Sequence, residues 1–182
     1  PSDAPADNHP SFDHSAYECV TDMVALERWI AAIREKGHVA FDTETTSLDE
    51  MRAELVGISL ATDPGCACYI PLGHRSGSGD LFGGADLTPG QLPLDQVLAA
   101  LKPMLEDPAI LKIAQNMKYD AKIMARLGVQ VAPIADTMLM SYAMHGGLHN
   151  HGMDELSERY LGHTPIPIKP LLGAGKSAVT FD

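Results

Sequence analysis

The sequence has 182 residues, 45% of them hydrophobic, which is enough chain for one domain with a sizeable core. Its net charge of −11, from 24 acids against 13 bases, argues against a free-standing nucleic-acid-binding protein but is compatible with a nuclease, whose active site needs acids for metal ions. No stretch resembles a membrane span or a secretory signal, and three cysteines (Cys19, Cys66 and Cys68) indicate buried free thiols in a reducing cytoplasm rather than a disulfide framework or a zinc site.

The N-terminal part predicts a tail, a short strand and a helix. Residues 1–15 contain three prolines among small polar and acidic residues, which indicates a linker or flexible tail of a larger chain. A strand is predicted over 17–20, and a helix capped by Thr21 follows to about residue 35. Apolar residues at i, i+3, i+4 and i+7 define one face of this helix: Leu26, Trp29, Ile30 and Ile33. Gly37 suits the position just past its end.

Residues 38–44 have the pattern of a strand that carries two acids at its end. Side chains alternate between the faces of a strand, so Asp42 and Glu44 point to one face and their neighbours point to the other. Two adjacent carboxylates repel each other, and the usual remedy is a cation with a preference for oxygen ligands, such as magnesium, manganese or calcium. The alternative is an ordinary strand end that turns toward solvent.

Two further strands are predicted to pair with the acidic strand. Residues 55–61 are nearly all small or apolar, which is typical of a central strand. A turn signal separates them from a strand at 66–72, so the three strands predict an antiparallel meander. The glycine-rich stretch 73–90 shows no periodicity and is interpreted as a surface loop.

The second half of the chain predicts helices around one more strand. A helix from Leu94 is expected to kink or restart at Pro103 and to lead into a strand at 110–114 in the same sheet. Three helices follow in the predicted order: 117–127 with Gly128 as its stop, a helix capped by Asp136 or Thr137 that runs to about 144, and 154–161. Strands with interleaved helices indicate an α/β or α+β fold.

A third acid stands on the apolar face of a predicted helix. The apolar stripe of helix 117–127 passes through Ile123, and counting back along it gives Asp120. An acid on a buried face is costly unless it is paired or bound to a metal ion. The alternative is a first-turn acid favoured by the helix dipole, with Asn116 as the helix cap and Lys118 either on the surface or against a phosphate.

These residues resemble a known family. Phe-Asp-Thr-Glu-Thr-Thr-Ser-Leu at 41–48 and Gln-Asn-Met-Lys-Tyr-Asp at 115–120 resemble the 3′–5′ exonuclease domain of bacterial DNA polymerase I, the proofreading module of the family A polymerases within the DEDD exonuclease group. The likeness continues through three further segments, at 136–139, 153–156 and 173–176. The resemblance implies an α/β fold of the ribonuclease H-like type, a mixed sheet flanked by helices, which agrees with the order of predicted elements.

Carried over residue by residue, the resemblance implies a set of functional residues. The catalytic residues, which ligate the metal ions, would be Asp42, Glu44 and Asp120. Leu48 would wedge against the terminal base. The remaining site residues would be Gln115 and Asn116 beside the backbone of the single strand, and Lys118 and Tyr119 as residues that shape the site. Two divalent cations, Mg²⁺ or Mn²⁺ with Zn²⁺ possible at one site, would serve as cofactors.

The resemblance also implies a reaction and partners. Two ions about 3.5 to 4 Å apart can activate a water and stabilise the leaving oxygen of a phosphodiester. The expected reaction is release of a nucleoside monophosphate from the 3′ end of single-stranded DNA. The expected partners are that DNA end and the polymerase domain of the same parent chain, in the bacterial cytoplasm at the nucleoid and without a membrane.

The sequence departs from the family in its third motif. No tyrosine here has the Tyr-x-x-x-Asp spacing, so residues 16–182 are interpreted as an exonuclease domain without its C-terminal helix and with three of its four acids. His149 and Asp154 have the His-x4-Asp spacing of a different branch of the group and are a candidate substitute. Ile168, where an aromatic residue is frequent, and Asn150, where a basic residue is expected, weaken the predicted grip on DNA.

Two other functions share this pattern. One is a non-catalytic domain that braces the polymerase, which would neither bind manganese nor hydrolyse DNA. The other is a ribonuclease D-like RNA exonuclease, which shares the fold and the acids. The flanking polymerase-type segments favour DNA, and comparing DNA with RNA single strands separates the two substrates.

Overall fold

The computed structural model describes residues 13–76 and 86–167. After a 3₁₀ turn at His14–Ala16, the helices are α1 (Met23–Lys36), α2 (Leu94–Leu105), α3 (Lys118–Arg126), α4 (Thr137–His145) and α5 (Met153–Leu161). The strands are β1 (Glu18–Cys19), β2 (His38–Thr45), β3 (Leu55–Asp63), β4 (Cys66–Pro71), β5 (Arg75–Ser76), β6 (Asp86–Leu87), β7 (Leu111–Ala114) and β8 (Ile134–Asp136). Among the described helices, none is long and apolar enough to cross a bilayer. The predicted tail up to residue 12, Ile168 and the segment 173–176 lie outside the described residues.

Six strands form one mixed sheet in the order β1-β4-β3-β2-β7-β8. Strands β2, β3 and β4 are antiparallel neighbours, which confirms the predicted meander. Strand β7 lies parallel to β2 and β8 lies parallel to β7, while β1 joins the opposite edge parallel to β4. The predicted α/β class with a mixed sheet and helices is therefore confirmed. The short strands β5 and β6 pair with each other inside the stretch that was predicted as a loop.

The core lies on one face of this sheet. Strand β2 buries Val39, Phe41 and Thr43, as its alternation predicts, and the two apolar residues join one cluster with side chains of α1, α2 and α3. Helices α4 and α5 contribute almost nothing to burial, since Ser141 is the buried residue of α4 and α5 has none. The face of the sheet that carries Asp42 is therefore open, and a groove of about 760 Å³ runs between it and α4 and α5.

Several predicted boundaries and environments differ from the structure. The cap of α1 is Asp22 rather than Thr21, because the Asp22 carboxylate accepts the Ala25 N–H at 2.8 Å. Helix α2 continues through Pro103 without a restart, and the last residues of this helix, which include Leu105, are buried in the core. Only one of the three free thiols is buried, since Cys19 lies on the edge strand β1 and Cys66 at the start of β4.

Candidate active site

The three predicted acids come together at the edge of the sheet between β2 and α3. The pairing of β7 with β2 ends at Ala40, so the next part of β2 lacks a strand neighbour on that side. The Asp120 carboxylate fills this place, because its Oδ1 accepts the Thr43 N–H at 3.0 Å and the Thr43 hydroxyl at 2.6 Å. Asp120 is 3% exposed and is thereby fixed at the residue that separates Asp42 from Glu44.

Burial and mutual repulsion govern the electrostatics of these acids. Burial raises the pKa of Asp42 to about 7, with further contributions from the charges of Asp120 and Glu44. The pKa of Glu44 is raised by burial and by Asp120, and that of Asp120 by burial against the opposing effect of the Thr43 hydrogen bonds. None of the ion pairs among the described residues involves the three acids. The cluster therefore carries uncompensated negative charge in a partly desolvated place.

The donor chemistry of the cluster fits a hard divalent cation. Carboxylate oxygens suit Mg²⁺ and Mn²⁺, and a cation would relieve the repulsion that raises these pKa values. Among the described residues, no group of three or more His, Cys, Asp or Glu side chains is arranged to hold a metal ion as it stands. One oxygen of Asp120 is already hydrogen-bonded twice to Thr43, so the three acids supply an open set of ligands rather than a complete cage.

Asp136 stabilises the turn that precedes α3. Asp136 is 6% exposed, and its carboxylate accepts four backbone N–H groups. Two belong to the turn before α3, Asn116 at 3.1 Å and Met117 at 2.9 Å, and two to the first turn of α4, Met138 at 2.9 Å and Leu139 at 3.2 Å. The predicted cap of α4 is thus correct, and the same side chain also holds the turn that leads to Asp120.

Asn116 does not cap α3 as predicted. The N-cap position belongs to Met117, and Asn116 takes a left-handed conformation with φ 62°. Asparagine tolerates this conformation better than most residues that carry a Cβ. Its side-chain oxygen accepts a hydrogen bond from Lys118. Asn116 is half-buried and Lys118 is exposed, and both are close to Asp120 in sequence. The physical role of Asn116 therefore includes the sharp turn between β7 and α3.

This conformation leads to a testable comparison at position 116. Asn116→Gly and Asn116→Ala both remove the amide, but only alanine is strained at φ 62°. We expect the glycine variant to retain the free energy of unfolding within about 0.5 kcal/mol and the alanine variant to lose about 1 kcal/mol. Guanidinium denaturation of both proteins measures the difference. Equal stabilities would show that the left-handed turn is not what residue 116 is needed for.

Gln115 is held by the protein at both ends of its amide. Its Oε1 accepts the Thr137 hydroxyl at 2.5 Å, and its Nε2 donates to the His151 carbonyl at 2.7 Å. The ring of His151 in turn contacts Ser141 at 2.7 Å between Nδ1 and Oγ. The Gln115 side chain therefore links the end of β7 to α4 and to the loop before α5. These two hydrogen bonds support the turn at Asn116.

Tyr119 and Leu48 lie at the other end of the cluster. The Tyr119 hydroxyl lies 2.5 Å from the Thr45 hydroxyl and also donates to the Ser47 carbonyl, so it fastens the end of β2 to α3. Leu48 follows directly and is 93% exposed. The fastened turn thus presents an apolar side chain to solvent next to the end of β2.

The candidate substitute pair is not brought to the acids. The ring of His149 packs against those of His145, His151 and Tyr160, in the loop and helices at the far wall of the groove. Its Nδ1 lies 2.6 Å from the Asn150 carbonyl. No group of metal-ligating side chains that includes His149 and Asp154 forms among the described residues. The structure thus gives no support to the His-x4-Asp interpretation.

The contact of Thr43 with Asp120 and the second role of Asp136 were not predicted from the sequence. Thr43 is a polar residue on the buried face of β2, and that unusual place is the signal that could have identified it. The contact between Asp136 and the turn before α3 depends on the parallel pairing of β7 with β8, which the sequence does not display.

Comparison with known proteins gives the family. Residues 17–179 match the model of a family described as 3′-5′ exonuclease, of the DNA polymerase A type. The chain is 53% identical over 180 residues to DNA polymerase I of Rhizobium leguminosarum, a match that covers 94% of this chain and 18% of that protein. The chain therefore spans less than a fifth of this curated relative.

Solved structures share the fold. Escherichia coli RNase D, an exoribonuclease involved in structured RNA processing, aligns with a TM-score of 0.59 and 23% identity over 82% of this chain and 34% of that one. Brucella melitensis NrnC with bound Mg²⁺ aligns with a TM-score of 0.55 and 20% identity over 82% of this chain and 62% of that one. These likenesses confirm the predicted ribonuclease H-like fold. The family match over residues 17–179 shows that this chain belongs to the 3′-5′ exonucleases of the DNA polymerase A type.

Proposed function

We propose that residues 16–182 act as the proofreading exonuclease domain of a DNA polymerase I, which hydrolyses the terminal phosphodiester at the 3′ end of single-stranded DNA and releases nucleoside monophosphates. The observation that carries this proposal is the junction of Asp120 with β2 at Thr43, between Asp42 and Glu44. Three acids that repel one another and lack an ion-pair partner in the described residues are suited to hold divalent cations. When bound, such ions lower the pKa of a water and stabilise the leaving oxygen.

The predicted site residues would bind metal ions, the terminal base and the phosphate backbone. Asp42, Glu44 and Asp120 hold the two ions, Mg²⁺ or Mn²⁺ with Zn²⁺ possible at one site, on the open face of the sheet. Leu48 contacts the terminal base, since it is exposed beside the acids. Half-buried Asn116 and exposed Lys118, at the start of α3, contact the phosphate backbone.

Two other features of the domain would support DNA binding indirectly. Gln115 and Tyr119 fix the turns that carry the residues in contact with DNA, through the hydrogen bonds to α4 and to the end of β2. With a net charge of −11, the domain would obtain most of its grip on DNA from the bound cations and from the polymerase domain of the parent chain, in the cytoplasm.

A ribonuclease D-like activity on RNA is the second candidate. The likeness to RNase D structures favours it, although at 23% identity or below such likeness concerns the fold. The similarity to a DNA polymerase I at 53% identity supports DNA. The two candidates use the same acids and differ in whether the site accepts a 2′-hydroxyl.

The full-length protein is expected to release mononucleotides from the 3′ end of a single-stranded DNA oligonucleotide in Mn²⁺ or Mg²⁺, and about tenfold more slowly from RNA of the same sequence. End-labelled substrates without nucleotides or pyrophosphate exclude the polymerase reaction and its reversal. Chelation by EDTA is expected to stop the release. No release in either metal would favour the bracing role, and faster release from RNA would favour the ribonuclease D-like role.

A further inference from the structure

Tyr69 on β4 lies on the same face of the sheet as the acids. Residue Ser59 of β3 is opposite both Asp42 of β2 and Tyr69 of β4, and side chains directly opposite each other in a sheet share a face. Tyr69 is therefore two strands away from the acid cluster, on its open side.

The Tyr69 ring crosses β3 at a glycine. A Cβ added to Gly57 would lie 2.0 Å from the Tyr69 hydroxyl oxygen and 2.3 Å from Cζ, so the hydroxyl occupies the place of a side chain at residue 57. Gly57 is directly opposite Glu44 in the pairing of β2 with β3. Opposite Cβ positions in antiparallel strands are about 5 Å apart. The phenol therefore lies beside the side chain of Glu44.

His74 and Gln91 hold the phenol in this place. The Tyr69 hydroxyl lies 2.7 Å from His74 Nε2, and the two rings meet edge to face at 5.6 Å. The Gln91 amide accepts the His74 N–H and donates to the His74 carbonyl, both at 2.8 Å. If the His74 proton is on Nε2, it is donated to the phenol oxygen, and the phenol proton is available to an acceptor on the Glu44 side.

Glu44 is the acid of the cluster with the fewest restraints. Thr43 donates twice to Asp120, whereas in the described part of the chain no hydrogen bond to the Glu44 carboxylate forms. The charge of Glu44 also contributes to the raised pKa of Tyr69, after the larger effect of burial. A half-buried carboxylate without a donor thus lies next to a phenol that is held in place by a histidine.

We propose that Tyr69 is a positioning residue for Glu44. No hydrogen bond joins the two side chains in the structure; with divalent cations bound, the Tyr69 hydroxyl, held by His74 over the space left by Gly57, donates to the Glu44 carboxylate and orients it toward the other two acids. This inference rests on the proposed function, because orientation of Glu44 matters if the cluster binds metal ions. Groups that hydrogen-bond to metal ligands set their direction, and their removal commonly weakens metal binding or activity about 10- to 100-fold.

The test measures Mn²⁺ binding directly, by calorimetric titration of the full-length protein with manganese chloride. Subtraction of the titration of the Asp42→Asn variant isolates binding at the acid cluster. Tyr69→Phe is expected to raise the apparent Kd for Mn²⁺ at the cluster about tenfold and to lower kcat for nucleotide release, with the KM for the oligonucleotide within about twofold. Gly57→Ala, whose Cβ displaces the ring, is expected to do the same.

Tyr17→Phe serves as the control, since it removes a phenol ahead of β1, away from the cluster. Unchanged Mn²⁺ binding by Tyr69→Phe would overturn the inference, even if that variant melted at a lower temperature. If the unsubstituted protein bound Mn²⁺ at the cluster but released no nucleotide, the proposed function would fail. The effect of Tyr69→Phe on the Mn²⁺ titration would then still decide whether Tyr69 positions Glu44.

Discussion

Replacing Asp42 by Asn is expected to abolish nucleotide release and, in the absence of metal ions, to make the protein more stable at neutral pH. The carboxylate is central to the cluster, because the charges of both Asp120 and Glu44 raise its pKa. An amide removes one anionic ligand and leaves a side chain of the same shape. We expect the rate of release from a single-stranded oligonucleotide to fall at least about a thousandfold, as when a group that acts directly on the reacting centre is lost.

The gain in stability follows from the sign of the pKa shift. The pKa of Asp42 is raised from 3.8 to about 7 in the folded protein. Between about pH 4 and pH 7 the folded state therefore binds a proton that the unfolded state has lost, so the free energy of unfolding decreases as the pH rises through this window. We expect a decrease of about 2 kcal/mol, since Glu44 or Asp120 can take up part of the proton.

Three thermal or guanidinium unfolding series test this expectation. The metal-free protein should lose stability between pH 4 and pH 7, the Asp42→Asn variant should lose much less, and added Mn²⁺ should restore stability to the unsubstituted protein because it binds the folded state. Glu27→Gln, on the exposed face of α1, is the control for a change of one charge. A variant with full nucleotide release would remove Asp42 from the mechanism, and identical pH profiles would show that its ionisation is not opposed in the folded protein.

The acid cluster could be predicted from local sequence because each acid obeys a simple period. Asp42 and Glu44 share a face of β2 as a consequence of strand alternation, and Asp120 lies on the buried stripe of α3 at the helical spacing. Their convergence was implied only by the family resemblance. No periodicity tells which strand a helix will approach, since that depends on where β7 stops pairing with β2.

The contacts that support the acid cluster could not be predicted from strand or helix periodicity. Asparagine is a common helix cap, yet the left-handed backbone of Asn116 accompanies the sharp exit from β7 and the hydrogen bond that its N–H donates to Asp136. The approach of Tyr69 to Glu44 requires the register of three strands together with a glycine between them. Both features arise from pairing between segments that are distant in sequence. The sequence alone does not show which segments pair.

Replacing Asp136 by Ala is expected to give the largest loss of stability of any single change near the site. Four backbone N–H groups of two helix starts lose their acceptor at once, in a place where the side chain is 6% exposed. A capping residue replaced by alanine costs about 1 kcal/mol, and a buried donor left without a partner costs about 1 to 3 kcal/mol. We expect the free energy of unfolding to fall by about 3 to 5 kcal/mol.

Asp136→Asn separates the effect on the site from the effect on folding. The Asn oxygen can still accept from Asn116 and the start of α4, but its NH₂ group would face the Met117 N–H, which now bonds to Oδ2 at 2.9 Å. The turn before α3 should therefore loosen while the protein remains folded. Because Asp120 lies three residues beyond Met117, we expect kcat for nucleotide release to decrease about tenfold at a temperature where the variant is fully folded.

The matched control is Asp22→Ala, which removes the cap of α1 on the opposite face of the molecule from the acids. That carboxylate accepts one backbone N–H, at Ala25, in an exposed position, so the expected loss is about 1 kcal/mol with unchanged nucleotide release. Guanidinium unfolding and the oligonucleotide assay on the three variants give both quantities. If Asp136→Asn released nucleotides at the normal rate while Asp136→Ala merely unfolded, Asp136 would be a helix cap alone, and the position of Asp120 would have to be set by Thr43 without help from α4.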